Sequence, residues 1–273
     1  MQDRLIAAAQ SGIRVFDLGR PLFAGMPQSP NHPPFMHSHP ARHGDKARTD
    51  GGSTANDIII TGTHVGTHVD APAHIAQDGR LLDGVSAEDA IEGGKYFGLG
   101  IHHFQPLATR GVLLDVPAVL GIHSCEAGYE ITIADLEQSL ELTGTELKSS
   151  DVVLIRTGWG RFFGDPDLYG GQTSGAPGVG EAAALWLAEK GVRAVGADTI
   201  AFERIAPRLG HATLPVHRIL LVERGVNIIE TLNLEELAAK SAFVFLLVVA
   251  PLAIVGATGG PARPLALLDA AGT

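Results

Sequence analysis

The stretch His64-Val-Gly-Thr-His68-Val-Asp70-Ala-Pro-Ala-His74 places three imidazoles and a carboxylate within eleven residues, every one at an even position. Side chains on one face of an extended strand recur every second residue, so all four groups are expected to project to the same side. Gly66, Pro72, Thr67 and two valines disfavour a helix here. In a fully extended chain His64 and His68 would stand roughly 13 Å apart, too far to share a metal ion at bonds of about 2 Å. The strand is therefore expected to curl or bulge, with Gly66 permitting the bend and Pro72 stiffening the approach to His74. Imidazole nitrogens and a carboxylate on one face suit Zn2+, Mn2+ or Fe2+. No Glu follows His64, so the pattern is not that of a zincin helix.

The elements that must position this cluster follow from the rest of the chain. Its 273 residues, 45% hydrophobic and 18% charged, are enough for a substantial core, and with no linker, repeat or low-complexity tract residues 1–273 read as one domain. A net charge of −10 without a Lys/Arg cluster argues against a nucleic-acid partner. The single cysteine, Cys125, excludes an intrachain disulfide framework, fits a cytoplasmic setting and reads as a structural thiol. The N-terminal stretch reads as a short mixed-polarity helix, not a secretory signal. The apolar run from Ala242 to Val255 is too short to span a membrane and reads as two buried β segments joined at Pro251.

Residues 15–40 are proline-rich and extended, and His32, His37, His39 and His43 fall in what reads as an exposed loop. Asn56 to Ile60 is a short β run, and Ser86 to Gly93 a short helix with a capping-box pattern. From Gly111 onward the pattern is α/β. Strands are expected at 111–115, 151–156, 192–196, 226–230, 243–249 and 265–268, and helices from Thr132 to Leu142, Glu181 to Lys190, His217 to Val222 and Leu234 to Lys240. A long Gly-rich loop, 157–180, separates two of these elements, and loops of that length tend to be functional.

The string H-x-G-T-H-x-D-x-P-x-H, complete at His64, Gly66, Thr67, His68, Asp70, Pro72 and His74, resembles the signature of the cyclase-like metal-dependent hydrolases. Bacterial kynurenine formamidases and isatin hydrolases belong to that family. Residues 17–27, 154–159, 196–198, 217–221, 225–230 and 256–263 look like the same family. The resemblance implies a compact α/β fold, a barrel-like, mostly antiparallel sheet flanked by helices, assembled as a homodimer or larger homo-oligomer. It also implies that His217 and Glu230 join the strand motif in holding one or two divalent ions, Zn2+ or Mn2+. His211, six residues earlier, competes with His217 for that place.

On this basis His64, His68 and Asp70 are expected to hold an ion with an open position for water, and His74 to carry the proton as general acid/base. The resemblance implies hydrolysis of a C–N bond in an aryl formamide or small cyclic amide, such as N-formylkynurenine or isatin. Phe23, Phe35, Trp159, Phe162 and Phe202 are candidates for an aryl pocket. Within enzymes the alternative is ring closure or lactone hydrolysis; outside catalysis it is a metal- or ligand-binding relative.

Overall fold

Buried aliphatic runs set the middle of the sheet. Val152-Val-Leu-Ile is buried residue after residue, the pattern of a strand covered on both faces. In the computed structural model, which describes residues 2–270 and side chains from residue 6, this segment lies in a nine-stranded sheet. The strands are β1 (Ile13–Asp17), β2 (His68–Asp70), β3 (Leu107–Asp115), β4 (Val152–Arg156), β5 (Ala194–Ala197), β6 (Asn227–Glu230), β7 (Val244–Val249), β8 (Gly259–Pro261) and β9 (Leu265–Asp269). Their order is β1-β9-β7-β3-β4-β5-β6-β2-β8.

β3 to β6 run parallel, while the five outer pairings are antiparallel. The sheet curls into a half-barrel. The α/β class and the mostly antiparallel, barrel-like sheet therefore hold, with a parallel centre that the sequence pattern did not separate out.

Alternation along β3 divides the core. Val112 and Leu114 face the layer containing Leu136 and Leu187, which come from the helices Ile133–Thr143 and Glu181–Glu189. Leu113 faces the opposite layer, with Phe16, Ile229 and Phe245. The first of those helices starts at a capping box, in which Thr132 and Asp135 each accept from the other's backbone N–H.

Three expected elements differ. Residues 86–90 form a single turn rather than a helix, followed by a hairpin whose strands Ile91–Glu92 and Lys95–Tyr96 meet at Gly93-Gly94. Both glycines have positive φ, which suits a tight hairpin turn and ends any helix. The run 242–255 supplies only one strand, β7; after Pro251, Leu252 and Val255 are exposed. Residues 36–41, expected as loop, pair with Asn56–Ile60 as a two-stranded arm whose side chains are nearly all exposed. No helix among the described residues is long and apolar enough to cross a membrane.

Short β2 is gripped from both sides. It pairs with β6, placing Glu230 opposite His68, and with β8, placing Gly259 opposite Asp70. The turn after β4 is held separately by Asp198, at the end of β5. Its carboxylate accepts from Thr157 N at 2.8 Å, Thr157 Oγ1 at 2.7 Å, Gly158 N at 2.9 Å and Gly160 N at 3.3 Å, all buried. Replacing this side chain strands three backbone donors and a hydroxyl without water. Asp198→Ala should therefore lower unfolding free energy by at least about 3 kcal/mol in denaturant melts. A loss below about 1 kcal/mol would show that the turn holds without it.

Candidate metal centre

Gly66 adopts φ +71°, and the chain turns there before entering β2. His64 accordingly lies on a turn ahead of the strand, and His74 ends a 3-10 turn that begins at Pro72. Only His68 and Asp70 share the strand. The four groups converge because the chain folds back at Gly66 and Pro72, not because one long strand aligns them.

Asp70 is the hub and has no exposed surface. Its Oδ1 lies 2.7 Å from His64 Nδ1 and 3.3 Å from His68 Nε2. Its Oδ2 lies 3.6 Å from His217 Nε2 and has no hydrogen-bond partner. Glu230 completes the group, with Oε1 3.1 Å from His217 Nε2 and Oε2 3.5 Å from His68 Nε2. His74 stacks on His64 with ring centroids 3.8 Å apart and lies 6.0 Å from the His217 ring.

Two histidines are fixed by bonds on their far side. His68 Nδ1 donates to Gly66 O at 2.7 Å, and a carbonyl only accepts, so Nε2 is the atom left facing the carboxylates. His217 Nδ1 donates to Glu203 Oε1 at 2.7 Å, which aims its Nε2 likewise. Glu203 also accepts from the backbone N–H groups of Val216 and His217. The Gly-rich loop positions Glu203: Val179 bridges to it, and a Cβ at Gly178 would lie 2.2 Å from the Glu203 backbone. His64 is set by Thr258, whose Oγ1 lies 2.8 Å from Nε2, and by Gly259, where a Cβ would meet the imidazole at 2.4 Å.

The residues fit a divalent cation. His68, Asp70 and Glu230 present ligand atoms within 4.8 Å of one another, as do His64, Asp70 and His74, so Asp70 belongs to both groups. A buried carboxylate oxygen without a donor, ringed by nitrogen and oxygen ligands, is an environment that a cation completes. The electrostatics agree. Burial alone would raise the Asp70 carboxyl, but His74, His68, His217 and His64 hold it well below the usual range. Burial opposes protonation of His68, yet Asp70 and Glu230 raise it to about 9. His217 is raised well above its ordinary value against burial, by Asp70, Glu203 and Glu230. His74 moves the other way, kept neutral mainly by burial.

The site residues read from the sequence therefore meet: His64, His68, Asp70, His74, His217 and Glu230. His211 stays outside the ligand group. It borders the adjoining cleft together with Gln28, Ser29, His32, Ile200 and Leu214. None of the five proposed aryl-pocket residues lines that cleft. Phe35 and Trp159 are buried beside Tyr169, Phe162 packs against the same cluster, Phe202 is buried, and Phe23 lies edge-on to Phe163. Cys125 is buried, and burial first, then Asp198 and Asp135, push its thiol up to about 12, so it is structural. The sequence reading missed Glu203, Thr258 and the place of His32, which stacks on His64 at 5.2 Å.

Comparison with known proteins places these features in a family. Isatin hydrolase of Roseibium aggregatum is 26% identical over 226 residues, 82% of this chain and 78% of that protein. A solved structure described as a novel cyclase is 30% identical, with a TM-score of 0.84 over 97% of this chain and 93% of its own. Isatin hydrolase A from Ralstonia solanacearum is 25% identical, with a TM-score of 0.72 over 98% of this chain and 97% of its own. The model of the putative cyclase family matches residues 16–204, most of the chain and the whole motif from His64 to His74, and the protein belongs to that family.

Proposed function

We propose that this protein is a metal-dependent hydrolase that opens a C–N bond in a small amide, a cyclic amide such as isatin or an aryl formamide. The observation that carries the reading is the buried Asp70 carboxylate, whose Oδ2 has no hydrogen-bond donor and which contacts His64, His68 and His217 beside Glu230. The likeness to isatin hydrolases supports the substrate class.

His64, His68, Asp70, His217 and Glu230 would hold one or two divalent ions, Zn2+ or Mn2+. A bound ion would supply a Lewis acid for the carbonyl and lower the pKa of water. The protein's own contribution is orientation and proton transfer. Gly66 O and Glu203 lock the two imidazole ligands, so little reorganisation is needed during turnover. His74, kept neutral by burial and bordering the cleft, takes a proton from the attacking water and returns it to the leaving nitrogen. Ile200, Leu214 and Pro27 give the cleft its apolar wall, while Gln28, His32 and His211 offer hydrogen bonds.

Purified protein should contain Zn2+ or Mn2+ and hydrolyse a member of a panel of isatin, N-formylkynurenine, cyclic imides and a lactone, with activity lost to chelator. His74→Ala should keep the metal and lose about 10²- to 10⁴-fold in turnover, whereas His68→Ala and Asp70→Ala should lose metal and turnover together. Full activity in His74→Ala would remove it from proton transfer. Bound metal without chelator-sensitive hydrolysis of any panel member would move the reading to a binding protein.

Proton linkage gives a second test. His68 is raised from 6.5 to about 9 in the metal-free fold. The stability it contributes is complete below about pH 6.5 and is lost as pH rises through about 9. A cation bound by the same atoms displaces those protons, so the loss should be absent in metal-loaded protein. Thermal melts of chelated and loaded protein from pH 6 to 9.5 should diverge with rising pH; parallel profiles would mean that the ion binds elsewhere.

A further inference from the structure

The arm formed by residues 36–41 and 56–60 lies outside this centre and carries a ligand set of its own. Its register pairs Met36 with Ile60, His37 with Ile59 and Ser38 with Ile58. Strand alternation therefore puts Met36, Ser38, Ile58 and Ile60 on one face, and His37, His39, Asp57 and Ile59 on the other. On that second face His37 Nε2 lies 2.9 Å from Asp57 Oδ2, and the His39 ring stands edge-on to His37 at 4.7 Å. One ligand atom from each of the three residues lies within 4.8 Å of the other two.

We propose that His37, His39 and Asp57 form a second, surface metal site that takes a divalent ion of the Zn2+ class and clips the arm together. Two imidazoles and a carboxylate, with open positions for water, are a donor set that Zn2+ accepts. A His–Asp hydrogen bond alone needs only two of these residues. The third, His39, makes no hydrogen bond among the described residues and still presents a nitrogen to the same point.

The arm has a physical need for such a clip. Its residues are exposed from Met36 to Pro40 and from Asn56 to Ile60, so it has ladder hydrogen bonds but no core, and a bare two-stranded hairpin is marginal in water. The ligands come from both strands, so an ion bound there closes the loop 42–55. The excess of acidic groups in the chain favours cation capture.

The test is Zn2+ stoichiometry by equilibrium dialysis and elemental analysis, on the full protein and on His37→Ala/His39→Ala. The arm is solvent-exposed, so the double variant leaves the core intact. It should bind one equivalent of Zn2+ fewer than the parent, and that equivalent should persist in Asp70→Ala, where the buried centre is broken. Zn2+ should also slow amide exchange in 36–41 and 56–60 of the parent but not of the double variant. Equal stoichiometry in parent and double variant would overturn the proposal and reduce the cluster to a surface ion pair.

Discussion

A carboxylate with no exposed surface is expensive unless positive charge or donors surround it, and Asp70 imposes that requirement on everything near it. Its backbone is fixed on three counts: it pairs with Ile228 in β6 and Gly259 in β8, and its carbonyl accepts from Asn227 Nδ2 at 2.7 Å. The side chain cannot retreat towards water. Imidazoles must come to it, and they come from a turn, a strand, a 3-10 turn and a distant helix. The close approach of His64 in turn requires a position without a side chain beside it, which Gly259 in β8 provides.

The same constraint spreads outward through hydrogen bonds. Three of the imidazoles, those of His64, His68 and His217, place their other nitrogen on a group supplied by a separate part of the chain. Gly66 O comes from the bend itself, Glu203 from the segment after β5, and Thr258 from the entry to β8. Glu203 is itself buried and satisfied by two backbone N–H groups as well as by His217. A half-satisfied network at this depth would cost more than an apolar core, so the Gly-rich loop that packs on Glu203 belongs to the site as much as the ligands do.

How much of this is legible before folding depends on distance along the chain. The cluster from 64 to 74 is readable because ligand types crowd a short stretch and Gly66 and Pro72 mark the bends. Even so, the even spacing would put all four groups on one strand, whereas His64 and His74 reach the hub from turns. The aliphatic runs announce β3, β4 and β7, since residue-after-residue burial or strict alternation leaves a periodic trace. His217 and Glu230 emerge only through the family resemblance. Glu203 and Thr258 leave no local trace, because their partners lie 14 and 194 residues away and the packing that joins them is tertiary. Ser86 satisfies a capping pattern at Asp89 N, 3.3 Å, but Gly93-Gly94 turns the chain into a hairpin before a helix can extend.

The cleft's chemistry follows from where the aromatics went. With Phe35, Trp159 and Tyr169 committed to packing under the loops, the surface left to meet a substrate is polar and rich in histidine. Asn31 N–H donates to Ser29 Oγ, which lies 3.2 Å from His211 Nδ1. His211 Nε2 is buried without a hydrogen-bond partner. Burial also lowers the His211 pKa, which favours the uncharged ring. An uncharged imidazole nitrogen without a partner, bordering the cleft beside the carboxylate centre, suits a polar ligand that forms the missing hydrogen bond. An amide group, with a carbonyl acceptor and an N–H donor, can form that bond whichever ring nitrogen carries the proton.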